Sequence, residues 1–195
     1  MTSSPEDRPV LLLDVDGVIN VYQGRDDVFP PFAIEVYSAV SHLGSVFTLW
    51  LRPELREWFA SLSERFTIVW ATDWLNANEA ISPLLGLPGD LDAVPFPEQW
   101  LDVPFWFCRK TPHVRRWAST VGVRRFAWID DTLTEADAET LAWDTDPKWA
   151  TSSRAWQLEI AETSPVRPED VLLLPTDPSV GITADDVDRL LDFAR

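Results

Sequence analysis

The sequence predicts an α/β fold, a Rossmann-like three-layer sandwich built on a mainly parallel sheet. Four short apolar runs without polar alternation occur along the chain, at 10–13, 66–71, 126–129 and 171–174. Such runs are typical of strands that are buried on both faces of a parallel sheet. Helical patterns lie between them, as the crossovers of a parallel sheet require. With 195 residues, the chain is long enough for one such domain but not for two.

The first elements are a tail, a strand and a small insert. Residues 1–8 are polar and predict a flexible tail, so that one domain spans 9–195. An insert at about 21–51 follows the first strand. Within it, the β-like runs 32–40 and 45–51 are joined by a turn that contains glycine, which predicts a β-hairpin. We interpret this hairpin as a minimal cap or flap over the sheet edge.

Helix signals follow the hairpin and alternate with the later strands. Pro53 and Glu54 favour a first helical turn, and the apolar face of that helix then contains Leu55, Trp58, Phe59 and Leu62. Residues 76–85 predict one helix that ends near Gly86. Residues 87–107, rich in proline and tryptophan, are irregular.

The second half of the chain predicts three more helices. Thr111 as the N-cap and Pro112 as the first helical residue predict a helix to about Val121. Further helices are predicted at 134–143 and at 183–193, the last one capped by Thr183, with a loop at 144–153.

The charge restricts the class of partner. The net charge of −16 repels a phosphate backbone, and therefore disfavours long nucleic acid. Basic residues gather only between Arg109 and Arg125, which we interpret as a solvated helix face that is also compatible with a small anionic substrate. The gathered residues are Arg109, Lys110, Arg115, Arg116, Arg124 and Arg125.

Cysteine usage and the amino terminus indicate a cytoplasmic protein. A single cysteine, Cys108, excludes an intramolecular disulfide and fits a reducing compartment. The first residues carry acids and lack a long apolar segment, so neither a signal peptide nor a membrane anchor is expected.

Two acids, Asp14 and Asp16, come directly after the first strand, and Gly17 lets the chain turn. One interpretation is an Asp-Gly turn with solvated acids. A calcium loop is excluded because the glycine is at the fourth position rather than the sixth, Val18 is at the fifth, and Arg25 is at the twelfth.

Polar residues also end two of the other three strands, which favours a functional site over a solvated turn. Because parallel strands end at one edge, these residues are expected to meet there. They are Asp14 and Asp16, Thr72, Asp130 and Asp131, with Lys110 at a helix start. Carboxylates about 4 Å apart repel by about 4 kcal/mol per pair at an effective dielectric of 20. A divalent cation removes this repulsion, and Mg²⁺ suits carboxylates, water and phosphate. Zinc is not expected, because His42 and His113 are isolated and read as surface or capping residues.

This order of motifs resembles the haloacid dehalogenase (HAD) superfamily of aspartate-nucleophile phosphohydrolases. The resemblance rests on DVDGV at 14–18, Thr72, Lys110 and the acidic pair at 130–131. More narrowly, WATDW at 70–74, LGLP at 85–88 and WIDD at 128–131 resemble stand-alone bacterial members related to the HAD domain of Swiss-Army-knife RNA-repair proteins.

The resemblance implies a role for each residue. Asp14 would be the nucleophile and form an aspartyl-phosphate, and Asp16 would be the general acid and base. Thr72 would bind a phosphoryl oxygen, and Lys110 would neutralise nucleophile and phosphate. Asp14, the backbone carbonyl of Asp16, and Asp130 or Asp131 would hold Mg²⁺. Two points stay open. One is which of Asp130 and Asp131 binds the metal directly, and the other is whether Arg109 has the role given to Lys110.

The expected function is a Mg²⁺-dependent phosphomonoesterase for a small phosphorylated metabolite or nucleotide. The alternatives are a polynucleotide-end phosphatase in nucleic-acid repair and a catalytically idle binding module. The idle module is disfavoured because all the acids of the motifs are present.

Most tryptophans are assigned to the core. Trp74 is a candidate for substrate contact because it lies two residues after Thr72. Oligomeric state is left open.

Overall fold

The computed structural model describes residues 8–21, 32–97, 108–142, 163 and 165–195. Residues 1–7 of the predicted tail, the start of the insert, residues 98–107 of the irregular segment and the loop at 144–153 lie outside these ranges. The strands are β1 (Val10–Leu13), β2 (Glu35–Val40), β3 (Val46–Leu51), β4 (Thr67–Trp70), β5 (Phe126–Asp130) and β6 (Val171–Pro175). The helices are α1 (Leu55–Ser63), α2 (Ala77–Ala80), α3 (Ser82–Leu85), α4 (Thr111–Val121), α5 (Glu135–Ala142) and α6 (Ala184–Phe193).

Four parallel strands form the central sheet, in the order β4-β1-β5-β6. Strand β1 is in the interior, and its Leu12 pairs with Val69 on one side and Trp128 on the other. All four residues of β1 are buried, which explains why this strand contains no polar residue. The predicted parallel sheet is confirmed.

Helices cover both faces of the sheet, as predicted for a three-layer sandwich. Leu11 and Leu13 of β1 point into a core that also contains residues of α1, α3 and α6, among them Phe59, Leu85 and Leu190. Leu12 points to the opposite face, into a core with Val114 of α4 and Leu141 of α5. The alternation of side chains along one strand therefore supplies both cores.

The predicted hairpin is confirmed as an antiparallel pair of β2 and β3, in which Val40 pairs with Val46. Its inner face is part of the core, where Ala39, Leu49 and Leu51 are buried. The backbone N–H of Val21 donates to the carbonyl of Trp50 on β3. The hairpin is therefore attached to the chain segment that directly follows the Asp14–Asp16 motif.

Two helix predictions are wrong in detail, one in the continuity of a helix and one in its N-cap. The single helix predicted at 76–85 is two short helices, α2 and α3, because Pro83 in the first turn of α3 has no N–H to continue the α2 hydrogen-bond ladder. Thr111 is not an N-cap: Lys110 has that position, and the Thr111 hydroxyl donates to Asp137 instead. The predicted cap at Thr183 is confirmed, as part of a capping box with Asp186.

The basic residues between Arg109 and Arg125 do not form one solvated face. Arg109, Arg116, Arg124 and Arg125 are exposed, but Lys110 and Arg115 are buried. Arg115 donates to the carbonyl of Thr140 and to Thr163. His113, expected at the surface or at a helix cap, is also buried, whereas His42 is exposed.

Within the described ranges, none of the helices has the length and apolar character needed to cross a membrane.

Candidate active site

The carboxyl edge of the sheet brings three predicted acids together. Asp14 directly follows β1, and Asp130 is the last residue of the neighbouring β5. One carboxylate oxygen from each of Asp14, Asp130 and Asp131 lies within 4.8 Å of the others. Adjacent parallel strands that end in acids therefore produce a compact acidic cluster, as the sequence predicts.

Lys110 forms a buried ion pair with two of these acids. Its Nζ lies 2.7 Å from Oδ2 of Asp14 and 2.8 Å from Oδ2 of Asp130, and the side chains of all three are buried. Burial by itself would lower the pKa of the Lys110 ammonium, but the two carboxylates outweigh this effect and raise the pKa above its ordinary value. Lys110 is therefore a fixed positive charge.

Asp14 is in an environment that resists its negative charge. Burial and, to a smaller extent, the charge of Asp130 raise the pKa of its carboxyl to about 7, although Lys110 acts in the opposite direction. Its Oδ1 accepts a hydrogen bond of 2.8 Å from the backbone N–H of Val15, which fixes the carboxylate plane. A second cation beside Lys110 would stabilise the ionised form.

Asp130 and Asp131 are held in different ways. Asp130 is fully buried, and its Oδ1 accepts from the backbone N–H of Thr132 at 2.9 Å and from its hydroxyl at 2.5 Å. Asp131 is half-buried, and burial followed by the charge of Asp130 raises its pKa. Both carboxylates belong to the cluster, although neighbouring residues of a strand point to opposite faces, because the strand ends at Asp130.

The loop after Asp14 is built closely against this cluster. Gly17 has φ +72°, and a Cβ atom at this position would come within 2.6 Å of the Asp131 Cβ. The carbonyl of Gly17 accepts a 2.8 Å hydrogen bond from the hydroxyl of Thr176, and the N–H of Ile182 donates to the carbonyl of Val18. Residues that follow β6 therefore support the loop that carries the predicted nucleophile.

Thr176 is a site-supporting residue that the sequence reasoning missed. The signal was present, because Thr176 is the polar residue that ends the fourth apolar run, after Pro175. Like Asp14, Thr72 and Asp130, Thr176 lies at the carboxyl end of a strand of the parallel sheet.

Asp16 lies outside the three-carboxylate cluster. Its Oδ1 accepts a 2.8 Å hydrogen bond from Nδ2 of Asn20, and its Oδ2 accepts a 2.9 Å hydrogen bond from Nε1 of Trp74. Trp74 is thus beside the site, as its position after Thr72 indicates, and its ring packs edge-on against Phe47 of the hairpin at 5.4 Å. Substrate contact by Trp74 stays a prediction, and so does metal binding through the Asp16 carbonyl.

Thr72 and Arg109 differ in burial: Thr72 is buried, whereas Arg109 is exposed. Thr72 is buried two residues after β4, and its Oγ1 accepts a 3.4 Å hydrogen bond from the N–H of Trp74. Arg109 is exposed and pairs with Asp73 at 2.6 Å. Lys110, rather than Arg109, is therefore the cation in contact with the acids.

A second buried acid, Asp137, fixes the chain around Lys110. It accepts hydrogen bonds from the N–H of Cys108 at 2.9 Å and from the N–H of Thr134 at 2.7 Å, in addition to the hydroxyl of Thr111. It therefore connects the starts of α4 and α5. The sequence signal was the spacing of Thr134 and Asp137, which is that of a capping box.

The donor set fits a hard divalent cation. The cluster offers carboxylate oxygens only, and the single ammonium, although it contacts two of the three acids, can offset only one negative charge. Cys108, 3.0 Å from the Thr132 hydroxyl, does not belong to the cluster, and burial, with a smaller contribution from Asp130, raises the pKa of its thiol to about 12. Among the described residues, no histidine belongs to the cluster. These properties fit a hard divalent cation better than zinc.

Comparison with known proteins identifies a family for this chain. The family described as the HAD domain in Swiss Army Knife RNA repair proteins matches residues 10–155, a span that contains all six predicted site residues. None of the curated proteins matches the sequence. Because the family match covers well over half of the chain and the fold agrees with it, the chain belongs to the family of HAD domains found in Swiss Army Knife RNA repair proteins.

Proposed function

We propose that this protein is a Mg²⁺-dependent phosphomonoesterase that acts on a small phosphorylated metabolite or nucleotide. One observation supports this most directly. The carboxylate of Asp14 lies in a cluster with those of Asp130 and Asp131, and the ammonium of Lys110 lies between Asp14 and Asp130. A nucleophilic carboxylate, a fixed cation and a set of oxygen ligands are the parts that phosphoryl transfer to an aspartate needs.

The ligands of the cation would be Asp14, the backbone carbonyl of Asp16, Asp130 and Asp131. A bound Mg²⁺ would neutralise charge on the phosphate and on the nucleophile. The Lys110 ammonium would share this task, and the hydroxyl of Thr72 would donate to a phosphoryl oxygen.

The chain's own residues then perform two displacements. An oxygen of Asp14 attacks phosphorus, the bond from phosphorus to the ester oxygen breaks, and that oxygen takes a proton from Asp16. In the second step Asp16 takes a proton from water while the water oxygen attacks phosphorus. The bond from phosphorus to Asp14 breaks, phosphate leaves, and Asp16 is again protonated.

A second candidate, a polynucleotide-end phosphatase, is favoured by the RNA repair context of the matching family. The exposed aromatic ring of Phe47 beside Trp74 is compatible with stacking of a base near the site. Against it stands the net charge of −16, which repels a long phosphate backbone. We therefore rank the small substrate first.

We also propose that the protein is located in the cytoplasm. Its single cysteine is buried and reduced, which fits a reducing compartment.

The test is hydrolysis of a panel of phosphomonoesters, with Mg²⁺ or with EDTA. The panel contains sugar phosphates, mononucleotides and oligonucleotides phosphorylated at the 3′ or the 5′ end. We expect Mg²⁺-dependent release of phosphate that Asp14→Asn abolishes. Asp188→Asn, an exposed acid on α6, is the matched control and should keep full activity.

Each outcome decides between functions. Preference for a mononucleotide or sugar phosphate supports the first candidate, and preference for an oligonucleotide end supports the second. Activity that survives Asp14→Asn rules out the proposed nucleophile. Folded protein that binds Mg²⁺ but hydrolyses none of these esters would indicate a binding module instead.

A further inference from the structure

We propose that Asn20 and Trp74 are positioning residues that hold the carboxyl group of Asp16 in the orientation for proton transfer, and that the β2–β3 hairpin holds both of them. This inference rests on the proposed function, since it concerns the general acid of that reaction. Neither residue belongs to the acidic cluster or is bonded to Lys110.

The two oxygens of Asp16 are held by two different donors. Nδ2 of Asn20 donates to Oδ1 at 2.8 Å, and Nε1 of Trp74 donates to Oδ2 at 2.9 Å. Two bonds on opposite oxygens fix both the direction of the side chain and the plane of the carboxyl group. Each oxygen keeps a second lone pair, so the group can exchange a proton with substrate while both bonds persist.

The orientation of both donors is determined by the structure. The Oδ1 atom of Asn20 accepts a 2.9 Å hydrogen bond from the backbone N–H of Trp50, so its amide nitrogen must face Asp16. Asn20 is 5% exposed, which leaves little room for another rotamer. The indole of Trp74 has a donor and no acceptor, so its contact with Asp16 can have only one polarity.

Both donors are anchored to the hairpin. Trp50, which fixes Asn20, is a residue of β3. Phe47, also of β3, packs edge-on against the Trp74 ring at 5.4 Å. On the other strand, the carbonyl of Val40 accepts from Nδ2 of Asn76, two residues after Trp74. The hairpin therefore orients Asp16 through two separate contacts, one by way of Asn20 and one by way of Trp74.

A positioning role has a kinetic signature that a role in folding or in substrate binding does not have. In the first displacement, the proton of Asp16 goes to the ester oxygen as its bond to phosphorus breaks. An alkoxide leaving group needs this proton, whereas 4-nitrophenolate is stable without it. Because kcat/KM reports only the steps through the first displacement, misplacing Asp16 should lower it for alkyl esters and spare the nitrophenyl ester.

The experiment compares wild type and Trp74→Phe on glycerol phosphate and on 4-nitrophenyl phosphate, at saturating Mg²⁺. Phenylalanine keeps the aromatic contact with Phe47 but removes the N–H. We expect kcat/KM for the alkyl ester to fall about ten- to a hundredfold, with a change of less than about threefold for the nitrophenyl ester. Asn20→Leu, which has a similar size but no amide donor for Asp16, should give the same pattern. Trp117→Phe, on α4 and remote from the site, is the matched control and should change neither value.

The outcomes separate this inference from the function on which it rests. An equal loss on both esters, or no loss on either, overturns the positioning role while the phosphatase function stands. The alkyl ester of the panel that the wild type hydrolyses best takes the place of glycerol phosphate where that ester is not a substrate, and its 4-nitrophenyl analogue serves as the activated ester. If the wild type hydrolyses none of these esters with Mg²⁺, the proposed function is wrong and the inference is overturned with it. Thermal unfolding of each variant shows whether a loss of activity comes from loss of the fold.

Discussion

Gly17 combines a backbone conformation that favours glycine with a close approach to Asp131 of the acidic cluster. The sequence identifies it as a turn, and its φ of +72° agrees with that prediction. What the sequence does not show is the close approach of Asp131, whose Cβ would lie 2.6 Å from a Cβ at Gly17. The absent side chain therefore makes room for one of the three carboxylates.

We expect Gly17→Ala to weaken divalent cation binding at least tenfold, because the added methyl group must displace Asp131. Gly122→Ala is the matched control. Gly122 has a similar φ of +77°, but a Cβ there meets no atom within 4 Å, so only the backbone strain of about 1 kcal/mol is expected. Calorimetric titration with Mg²⁺ or Mn²⁺ gives the affinities. Equal affinities in the two variants would contradict the role assigned to Gly17.

At this scale, the sequence predicts residues better than it predicts their partners. Asp14, Asp130 and Lys110 follow from the rule that ligands gather at the ends of parallel strands. The contact between Asp16 and Trp74 does not follow from it, because the two are 58 residues apart in the chain. The N-cap prediction for Thr111 is wrong for the same reason. Its hydroxyl donates to Asp137, which lies 26 residues later in the chain.

Helix α4 contains an arginine inside the protein. Arg115 has no exposed surface, and its guanidinium donates at 2.8 Å to the carbonyl of Thr140 on α5 and at 2.9 Å to the hydroxyl of Thr163. Amphipathic spacing predicts a solvated face for basic residues, and Arg116 and Arg124 agree with it. Arg115 differs because these oxygen acceptors compensate its burial.

We expect Arg115→Met to lower the free energy of unfolding by about 2–3 kcal/mol, because buried acceptors lose a charged donor. Arg124→Met removes a comparable exposed side chain and should change this free energy by less than about 0.5 kcal/mol. Urea denaturation of both variants measures the difference. Similar midpoints for the two would show that the buried guanidinium contributes little to the packing of α4 on α5.

Among the elements, strands were easier to predict than helices. A run of apolar residues ending in an acid identifies β1 and β5 almost to the residue. Helix boundaries depend on single hydrogen bonds, and Pro83 removes one of these between α2 and α3. The hairpin was predicted from its turn, but its link to Asp16 depends on tertiary contacts of β3 with Asn20 and Trp74.

For the whole molecule, charge repulsion and the acidic cluster respond differently to salt. The net charge of −16 opposes the compact state, and any salt screens this repulsion. A site that binds a divalent cation adds a stabilisation that depends on concentration, about 2.7 kcal/mol at a hundred times the dissociation constant.

We therefore expect MgCl₂ to raise the unfolding temperature more than NaCl at the same ionic strength. Asp131→Asn should lose most of this difference, because it removes one of the three carboxylates. Asp188→Asn, which changes the net charge equally, should keep it. Differential scanning calorimetry in the two salts measures the effect. Equal stabilisation of the wild type by both salts would mean that the cluster binds no cation under these conditions.

The position of β1 inside the sheet also determines the order in which the molecule can fold while it is being synthesised. Of the four strands in the sheet, β1 is synthesised before the others, yet its two neighbours, β4 and β5, begin only at Thr67 and Phe126. Its four apolar residues must therefore wait for most of the chain before both of their edges are paired. A nascent chain stalled before Phe126 would expose an unpaired apolar strand edge, and such a strand is a natural target for chaperones.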